Sequence, residues 1–154
     1  MDKNILIEYA DMKEEIKDLR RRIEQNKKEL SRLNGQIVMD SVSCGKKGKK
    51  PLGTVKITGR PVTVISRKES LLNKRIRRLE ELEEELLELT IQVDEYIETI
   101  EKSELRMIFR LYYIDDLTWY QVALRMNQSF PKRKVKYTED NCRMRHNRFL
   151  EKLE

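Results

Sequence analysis

Residues 103–126, SELRMIFRLYYIDDLTWYQVALRM, contain the strongest structural signals of this 154-residue chain. Apolar side chains recur at helical spacing from Leu105, and the pair Asp115-Asp116 interrupts the pattern. Thr118, followed three residues later by Gln121, forms a capping box for a second helix. The stretch therefore predicts two short helices joined by a tight turn.

The ends and inward faces of these helices follow from the same residues. Ser103 is the expected N-cap of the first helix. Leu117 and Val122 occupy the staple positions around the second cap. The inward face of the second helix should hold Val122, Ala123 and Met126.

A third helix is predicted to open at Thr138, in TEDNCRMRHNRFLEKL (138–153). Glu139 and Asp140 suit the positive end of its dipole. The inward face is expected to comprise Cys142, His146, Phe149 and Leu153, and the other side Arg143, Arg145, Asn147 and Arg148. A short amphipathic helix with a basic outer face, after two others, is typical of the recognition helix of a helix-turn-helix, which enters the DNA major groove.

The loop before this helix, NQSFPKRKVKY (127–137), contains Pro131 and four basic residues. Together the loop and the third helix form the predicted DNA-binding site. Its residues are Lys132, Arg133, Lys134, Lys136, Thr138, Glu139, Asp140, Arg143, Met144, Asn147 and Arg148.

The stretches LRMIFRLYYIDDLTWYQVALRM (105–126) and TEDNCRMRHNRFLEKL resemble region four of primary sigma factors. The closest resemblance is to phage late-operon transcription regulators of the ArpU and RinA type. It covers about a third of the chain, with a looser match around Asp40-Ser41-Val42. The resemblance implies core positions at Cys142, His146 and Phe149, and groove-facing positions at Glu139, Asp140, Arg143 and Met144.

The sequence departs from the family in two places. Asp116 stands where the family often has glycine. The turn at residues 127–137 is several residues longer than usual, which either changes the docking angle or adds a phosphate-binding wing.

The first hundred residues carry two heptad patterns, which predict two long helices. In the first helix the rows are Tyr9, Ile16, Ile23, Leu30 and Ile37, and Ile5, Met12, Leu19, Asn26 and Leu33. Asn26 is the one polar member, a residue that often fixes register, and Asn34-Gly35 predicts the end of the helix. In the second helix, from about Glu69, the rows are Leu72, Leu79, Leu86, Val93 and Ile100, and Leu82, Leu89 and Tyr96.

Ser66 and Ser70 are the candidate N-caps of this second helix. Neither long helix can bury its apolar stripe alone, so we expect a long antiparallel hairpin within residues 1–101. Dimerisation through the same stripes is the rival arrangement. The fold class is thus mainly α, with residues 102–154 as a helix-turn-helix module.

Residues 38–65 are expected to form a small basic β-hairpin tip between the two helices. Alternating residues from Thr54 to Thr58 predict one strand, and the segment from Ile37 to Val42 its partner. The candidate contacts of the tip with phosphates or an acidic protein are Lys46, Lys47, Lys49 and Lys50. The alternative is a solvated loop whose lysines protect a sheet edge.

Composition narrows the class of protein. The charged fraction is 39% and the net charge is +6, which suits an anionic partner. Cys44 and Cys142 are expected to be reduced, and His146 is expected to pack in the core. No metal-ligand spacing, phosphate loop or nucleophile motif is present, so we expect no catalytic site, metal or cofactor. Without a signal peptide or membrane span, the expected location is the bacterial host cytoplasm.

The leading hypothesis is a sequence-specific transcription regulator that binds double-stranded DNA, with RNA polymerase and a second copy of the chain as further candidate partners. A phage small terminase subunit also joins a helix-turn-helix to oligomerising helices. The third hypothesis is that the chain is an interaction protein whose coiled coil binds host RNA polymerase. Ring-shaped oligomers would favour the terminase hypothesis, and failure to bind any DNA would favour the interaction-protein hypothesis.

Overall fold

The computed structural model describes residues 3–35, 38–44, 53–59 and 62–153, and the chain is mainly helical. The elements in order are α1 (Asn4–Asn34), β1 (Val38–Cys44), β2 (Gly53–Gly59), α2 (Val62–Glu98), α3 (Ser103–Phe109), a π-helical turn (Arg110–Ile114), α4 (Trp119–Ser129) and α5 (Glu139–Glu151). The end of α1 at Asn34 confirms the stop predicted at Asn34-Gly35.

The chain divides into two compact units, Met1–Glu15 with Leu82–Glu154, and Ile16–Glu81. This division differs from the one predicted after residue 101. It arises because the beginning of α1 and the end of α2 share a core with the C-terminal helices.

In the unit Ile16–Glu81, Leu30 and Leu33 of α1 pack against Ile65 and Leu72 of α2. Asn26 is buried and accepts a hydrogen bond from Arg75. A polar side chain in an apolar stripe must find a partner, so Asn26 restricts which residues of α2 can lie opposite it.

The same unit contains an antiparallel pair of strands, β1 and β2, with Val38 opposite Gly59 and Cys44 opposite Gly53. The lysines predicted to contact a partner, Lys46, Lys47, Lys49 and Lys50, lie outside the described residues, as does Ile37. The basic tip therefore stays a prediction.

In the unit Met1–Glu15 with Leu82–Glu154, one core joins three parts of the chain. Leu6 and Tyr9 come from α1, Val93 and Ile97 from α2, and Phe109 from α3. All five are at most 3% exposed. Burying side chains of this size stabilises a fold by about 1.5–3 kcal/mol each, so this core fixes the C-terminal helices against the ends of α1 and α2.

Two predictions about α2 were wrong. The helix begins at Val62, not near Glu69, so neither Ser66 nor Ser70 is its N-cap and residues 62–65 do not belong to the tip. Pro61, which comes just before the helix, was the overlooked signal, because proline suits a helix start.

The residues buried along the two long helices differ only slightly from the predicted apolar rows. In α2 the row predicted to flank the seam, Leu82, Leu89 and Tyr96, is buried, whereas Leu72, Leu79 and Leu86 are half-buried. Leu6 and Ile97 are also buried although neither belongs to a predicted row. Residues spaced by exactly seven positions drift around a straight helix of 3.6 residues per turn. Neighbouring positions therefore enter the core along the helix.

Candidate nucleic-acid interface

The turn that ends the first short helix has an unusual backbone. Residues 110–114 form a π-helical turn, in which Asp115 N–H donates to the carbonyl of Arg110. Asp116 then adopts φ 57°, the left-handed region that favours glycine. The predicted break at Asp115-Asp116 is confirmed, and Asp116 supplies the change of direction.

The start of α3 differs from the prediction. Lys102, not Ser103, is the N-cap, and Ser103 is the first helical residue. Arg106 occupies the polar groups nearby: it donates to the Ile100 carbonyl at 2.6 Å and to the Ser103 hydroxyl at 3.0 Å. The Ser103 side chain therefore interacts with a guanidinium and not with the free N–H groups of the helix.

The start of α4 follows the sequence signal closely. The Thr118 hydroxyl accepts from Gln121 N–H, and the Gln121 side chain accepts from Thr118 N–H, which completes the capping box. Leu117 packs in the cluster that contains Val122. The predicted inward face is confirmed, since Val122, Ala123 and Met126 are buried.

A loop of residues 130–138 joins α4 to α5, and its far end is anchored by one side chain. The Asn127 amide donates to the Tyr137 carbonyl at 2.9 Å and accepts from Tyr137 N–H at 2.7 Å. The Tyr137 ring is buried, 6.1 Å from the Phe130 ring. These contacts hold the long turn against the core and leave residues 131–136 exposed.

Helix α5 begins after Thr138, whose hydroxyl accepts from Asn141 N–H at 3.2 Å. Tyr137 and Cys142, just before the cap and at the fourth helical position, lie in one cluster and form a second hydrophobic staple. The sequence contained this signal, which would have identified Tyr137 as a core residue.

The buried face of α5 is largely the predicted one. Cys142 and His146 are buried, and Phe149 is half-buried against Phe109. Leu153 was predicted to be inward but is 51% exposed, because α5 ends at Glu151. Burial raises the pKa of the free Cys142 thiol to about 11, so this group stays protonated at neutral pH.

The opposite face of α5 is open to solvent. Its exposed residues, with those of the loop, include every residue predicted for the DNA-binding site of the C-terminal module: Lys132, Arg133, Lys134, Lys136, Thr138, Glu139, Asp140, Arg143, Met144, Asn147 and Arg148. On α5 they occupy positions spaced by three and four, which place them on one side of the helix. Lys and Arg outnumber Asp and Glu between residues 130 and 151.

Several of the predicted contacts already have partners within the protein, and two of them, Arg143 and Lys136, have partners in exposed positions. Arg143 forms an ion pair with Asp140 at 2.8 Å, one turn earlier. Lys136 donates to the Pro131 carbonyl at 3.1 Å. Both arrangements are solvent-exposed, so the ion pair is weak and can exchange for another partner at small cost.

Arg133 and Arg145 have structural partners that the sequence did not reveal. Both guanidiniums pair with Glu104 of α3, and both lie over the Tyr137 ring, at 5.3 and 5.5 Å from its centroid. Arg145 was placed on the outer face, but it is half-buried. Its spacing of three from Cys142 and four from Phe149 could have indicated this.

His146 is a core residue, as predicted. Its ring lies among the rings of Phe109, Tyr112, Tyr113 and Trp119. Nδ1 lies 2.9 Å from Asn147 Oδ1, and Nε2 lies 2.8 Å from the Tyr113 hydroxyl oxygen. In the tautomer with the proton on Nδ1, the ring donates to Asn147 and accepts from Tyr113. Burial lowers the pKa of His146, against a smaller opposing effect of Asn147, and the neutral ring is favoured.

Within residues 3–35, 38–44, 53–59 and 62–153, no group of three or more His, Cys, Asp or Glu side chains is arranged to hold a metal ion. None of the helices there is long and apolar enough to cross a membrane.

No known protein family, curated protein or solved structure matches this chain.

Proposed function

We propose that this chain is a sequence-specific regulator of transcription that binds double-stranded DNA through α4 and α5. In this proposal α3, α4 and α5 form a helix-turn-helix module, and α1 with α2 forms a long antiparallel helical arm. Phage late genes are the proposed targets, on the strength of the resemblance of residues 105–126 and 138–153 to late-operon regulators.

The observation that carries the proposal is the two-sided character of α5. One side is buried through Cys142 and His146, while the other exposes Asp140, Arg143 and Asn147. A helix of 13 residues is about 20 Å long and fits a major groove about 12 Å wide. Since α4 supports its buried side, α5 is held rigidly enough to present these groups to base edges.

The φ of Asp116 also supports the resemblance. The family often has glycine at this position, and here the backbone adopts the left-handed conformation for which glycine is favoured. The departure in sequence thus preserves the same backbone requirement.

The loop between the helices supplies the expected phosphate contacts. Lys132 and Lys134 are exposed, and neither is needed for the anchoring of Tyr137 by Asn127. Ammonium groups of this kind attract phosphates irrespective of sequence and make affinity depend on salt. We assign Lys132 and Lys134 to the DNA backbone and Arg143 to the bases.

The first experiment is a genome-wide DNA pull-down with the intact protein, followed by binding titrations on an enriched and a scrambled duplex at several salt concentrations. We expect tighter binding to the enriched duplex. Replacing Lys132 and Lys134 together with Ser should reduce the slope of log affinity against log salt by up to about 0.9 per lost contact. The control variant Lys27→Ser with Lys74→Ser removes the same charge at exposed sites outside the interface.

The outcomes separate the alternatives. Absence of DNA binding at low salt would reject the proposal and favour a protein that interacts with RNA polymerase through its helical arm. Ring-shaped oligomers that bind duplexes with equal affinity would instead indicate a small terminase subunit. Size-exclusion chromatography with light scattering measures the oligomeric state in the same samples.

A further inference from the structure

A groove of about 630 Å³ lies on the side of α5 that faces α3 and the end of α2. Its lining includes Ile100, which is 2% exposed, and the half-buried side chains of Leu105 and Phe149. The exposed Lys102, Arg148 and Lys152 also line it. We call this feature the basic groove: three apolar residues at its base and three cations at its edge.

The cations of the basic groove are not neutralised by the acids around them. Glu104 lines the groove too, but it pairs with Arg133 and Arg145. Glu101 is the other acid of the lining. Within the described part of the chain, Lys102, Arg148 and Lys152 have no ion pair, so the edge carries excess positive charge.

An apolar base with a cationic edge defines the chemistry of the occupant. The base favours a hydrocarbon or aromatic group because apolar area is removed from water there, by about 25 cal/mol for each Å². The edge favours a negative group at the end of that apolar part. The volume lies within the range of roughly 300–1,000 Å³ that is typical of small-molecule sites.

We propose that the basic groove binds a small amphipathic anion, an apolar chain or ring that ends in a carboxylate. Leu105 and Phe149 contact the apolar part, and Lys102 and Lys152 contact the carboxylate. Binding opposes DNA binding because Arg148 belongs both to the groove and to the DNA interface. This last consequence rests on the proposed function, whereas binding of the anion does not.

Decanoate, kept below its micelle concentration, is a suitable probe for the full-length protein. In amide NMR spectra we expect concentration-dependent shifts at Thr99, Lys102, Leu105 and Lys152. Acetate lacks the apolar part and decyltrimethylammonium reverses the charge, so both should bind at least tenfold more weakly. Equal binding of the cationic probe, or shifts spread over the whole chain, would overturn the proposal.

The variant Lys102→Glu with Lys152→Glu should weaken decanoate binding about tenfold, as expected for two exposed charge interactions. The control Lys27→Glu with Lys74→Glu changes net charge equally, away from the groove, and should leave the affinity within about twofold. Equal effects of the two variants would show that decanoate responds only to net charge. Shifts at the groove on concentrating the protein alone would identify a second copy of the chain as the occupant and overturn the small-anion proposal.

A second experiment tests whether decanoate binding opposes DNA binding. Saturating decanoate should raise the Kd for the enriched duplex at least threefold, and the Lys102→Glu, Lys152→Glu variant should show no such change. If decanoate binds and the DNA affinity is unchanged, the groove is a binding site that is not coupled to DNA binding. If the protein binds no DNA, the proposed function is wrong. The decanoate titration still shows whether the basic groove binds an amphipathic anion.

Discussion

The ammonium group of Lys13 in α1 donates a hydrogen bond to the backbone carbonyl oxygen of Tyr113, 2.8 Å away. In an α-helix that carbonyl would accept from the N–H of residue 117. Here Leu117 N–H donates to the Leu111 carbonyl instead, because the π-helical turn shifts the pattern. The helix ends at Ile114, so the Tyr113 carbonyl is one of the last-turn carbonyls that have no intrahelical partner. Lys13 satisfies this carbonyl, and it also pairs with Asp116 at 3.6 Å.

Replacing Lys13 with Met should destabilise the fold by about 1–3 kcal/mol, since a partly buried carbonyl loses a charged donor. Methionine retains most of the apolar stem of lysine but removes the ammonium group, which lies 5.1 Å from the centroid of the Tyr9 ring. Urea unfolding followed by circular dichroism measures the change. Lys27→Met, at an exposed site of α1, is the matched control, and an equal midpoint for the two variants would contradict the role of Lys13.

The backbone of Asp116 gives a second prediction. Asp116→Gly and Asp116→Val both remove the carboxylate that pairs with Lys13, so their difference isolates the backbone. At φ 57° a β-branched residue is strained and glycine is not. We expect the Gly variant to be more stable than the Val variant by about 1–2 kcal/mol. Thermal unfolding of the pair tests this, and equal stabilities would mean that the turn tolerates any residue.

His146 should make stability depend on pH. Its folded-state pKa is lowered by burial, so the unfolded chain binds the proton more readily. The contribution of the neutral ring is fully present above the unfolded pKa, about 6.5, and is lost as pH falls towards the folded value.

The comparison that isolates this effect is wild type against His146→Gln, each unfolded in urea at pH 7.5 and pH 5.5. The wild type should lose more stability between these values than the variant, in which no imidazole titrates. Carboxylates contribute equally to both proteins and cancel in the difference. A pH dependence that is the same in both would show that His146 is not protected from protonation.

The sequence predicted the C-terminal helices best where a short-range signal existed. The capping box of Thr118 and Gln121 placed α4 to within a residue, and the spacing of Cys142 and His146 gave the buried face of α5. Such signals act within one or two helical turns, and the structure need not override them.

Features that depend on distant parts of the chain were missed. Glu104 meets Arg133 and Arg145 across 29 and 41 residues of sequence. Lys13 meets Tyr113 across 100 residues. The periodicity of apolar residues does not predict such pairs, because they depend on how the helices pack against one another and not on the spacing of residues within one helix. The π-helical turn likewise interrupts a pattern that reads as a continuous helix from Leu105 to Ile114.

We propose that α5 reads DNA sequence through Arg143. This side chain lies on the exposed face near the start of the helix, where its weak ion pair with Asp140 can exchange for a base. A guanidinium can form two hydrogen bonds with guanine O6 and N7, which discriminate against other bases by about 1–3 kcal/mol. Arg148 lies further along α5, and we assign it to a phosphate.

Titrations of wild type, Arg143→Ala and Arg148→Ala on the enriched and scrambled duplexes at two salt concentrations test this role of Arg143. Circular dichroism should show the same helicity for all three proteins, since neither arginine is in the core. Arg143→Ala should weaken binding to the enriched duplex by about 5–150-fold and to the scrambled duplex far less. Arg148→Ala should weaken both about equally and flatten the salt dependence. An equal loss on both duplexes for Arg143→Ala would show that α5 binds DNA without reading bases through that residue.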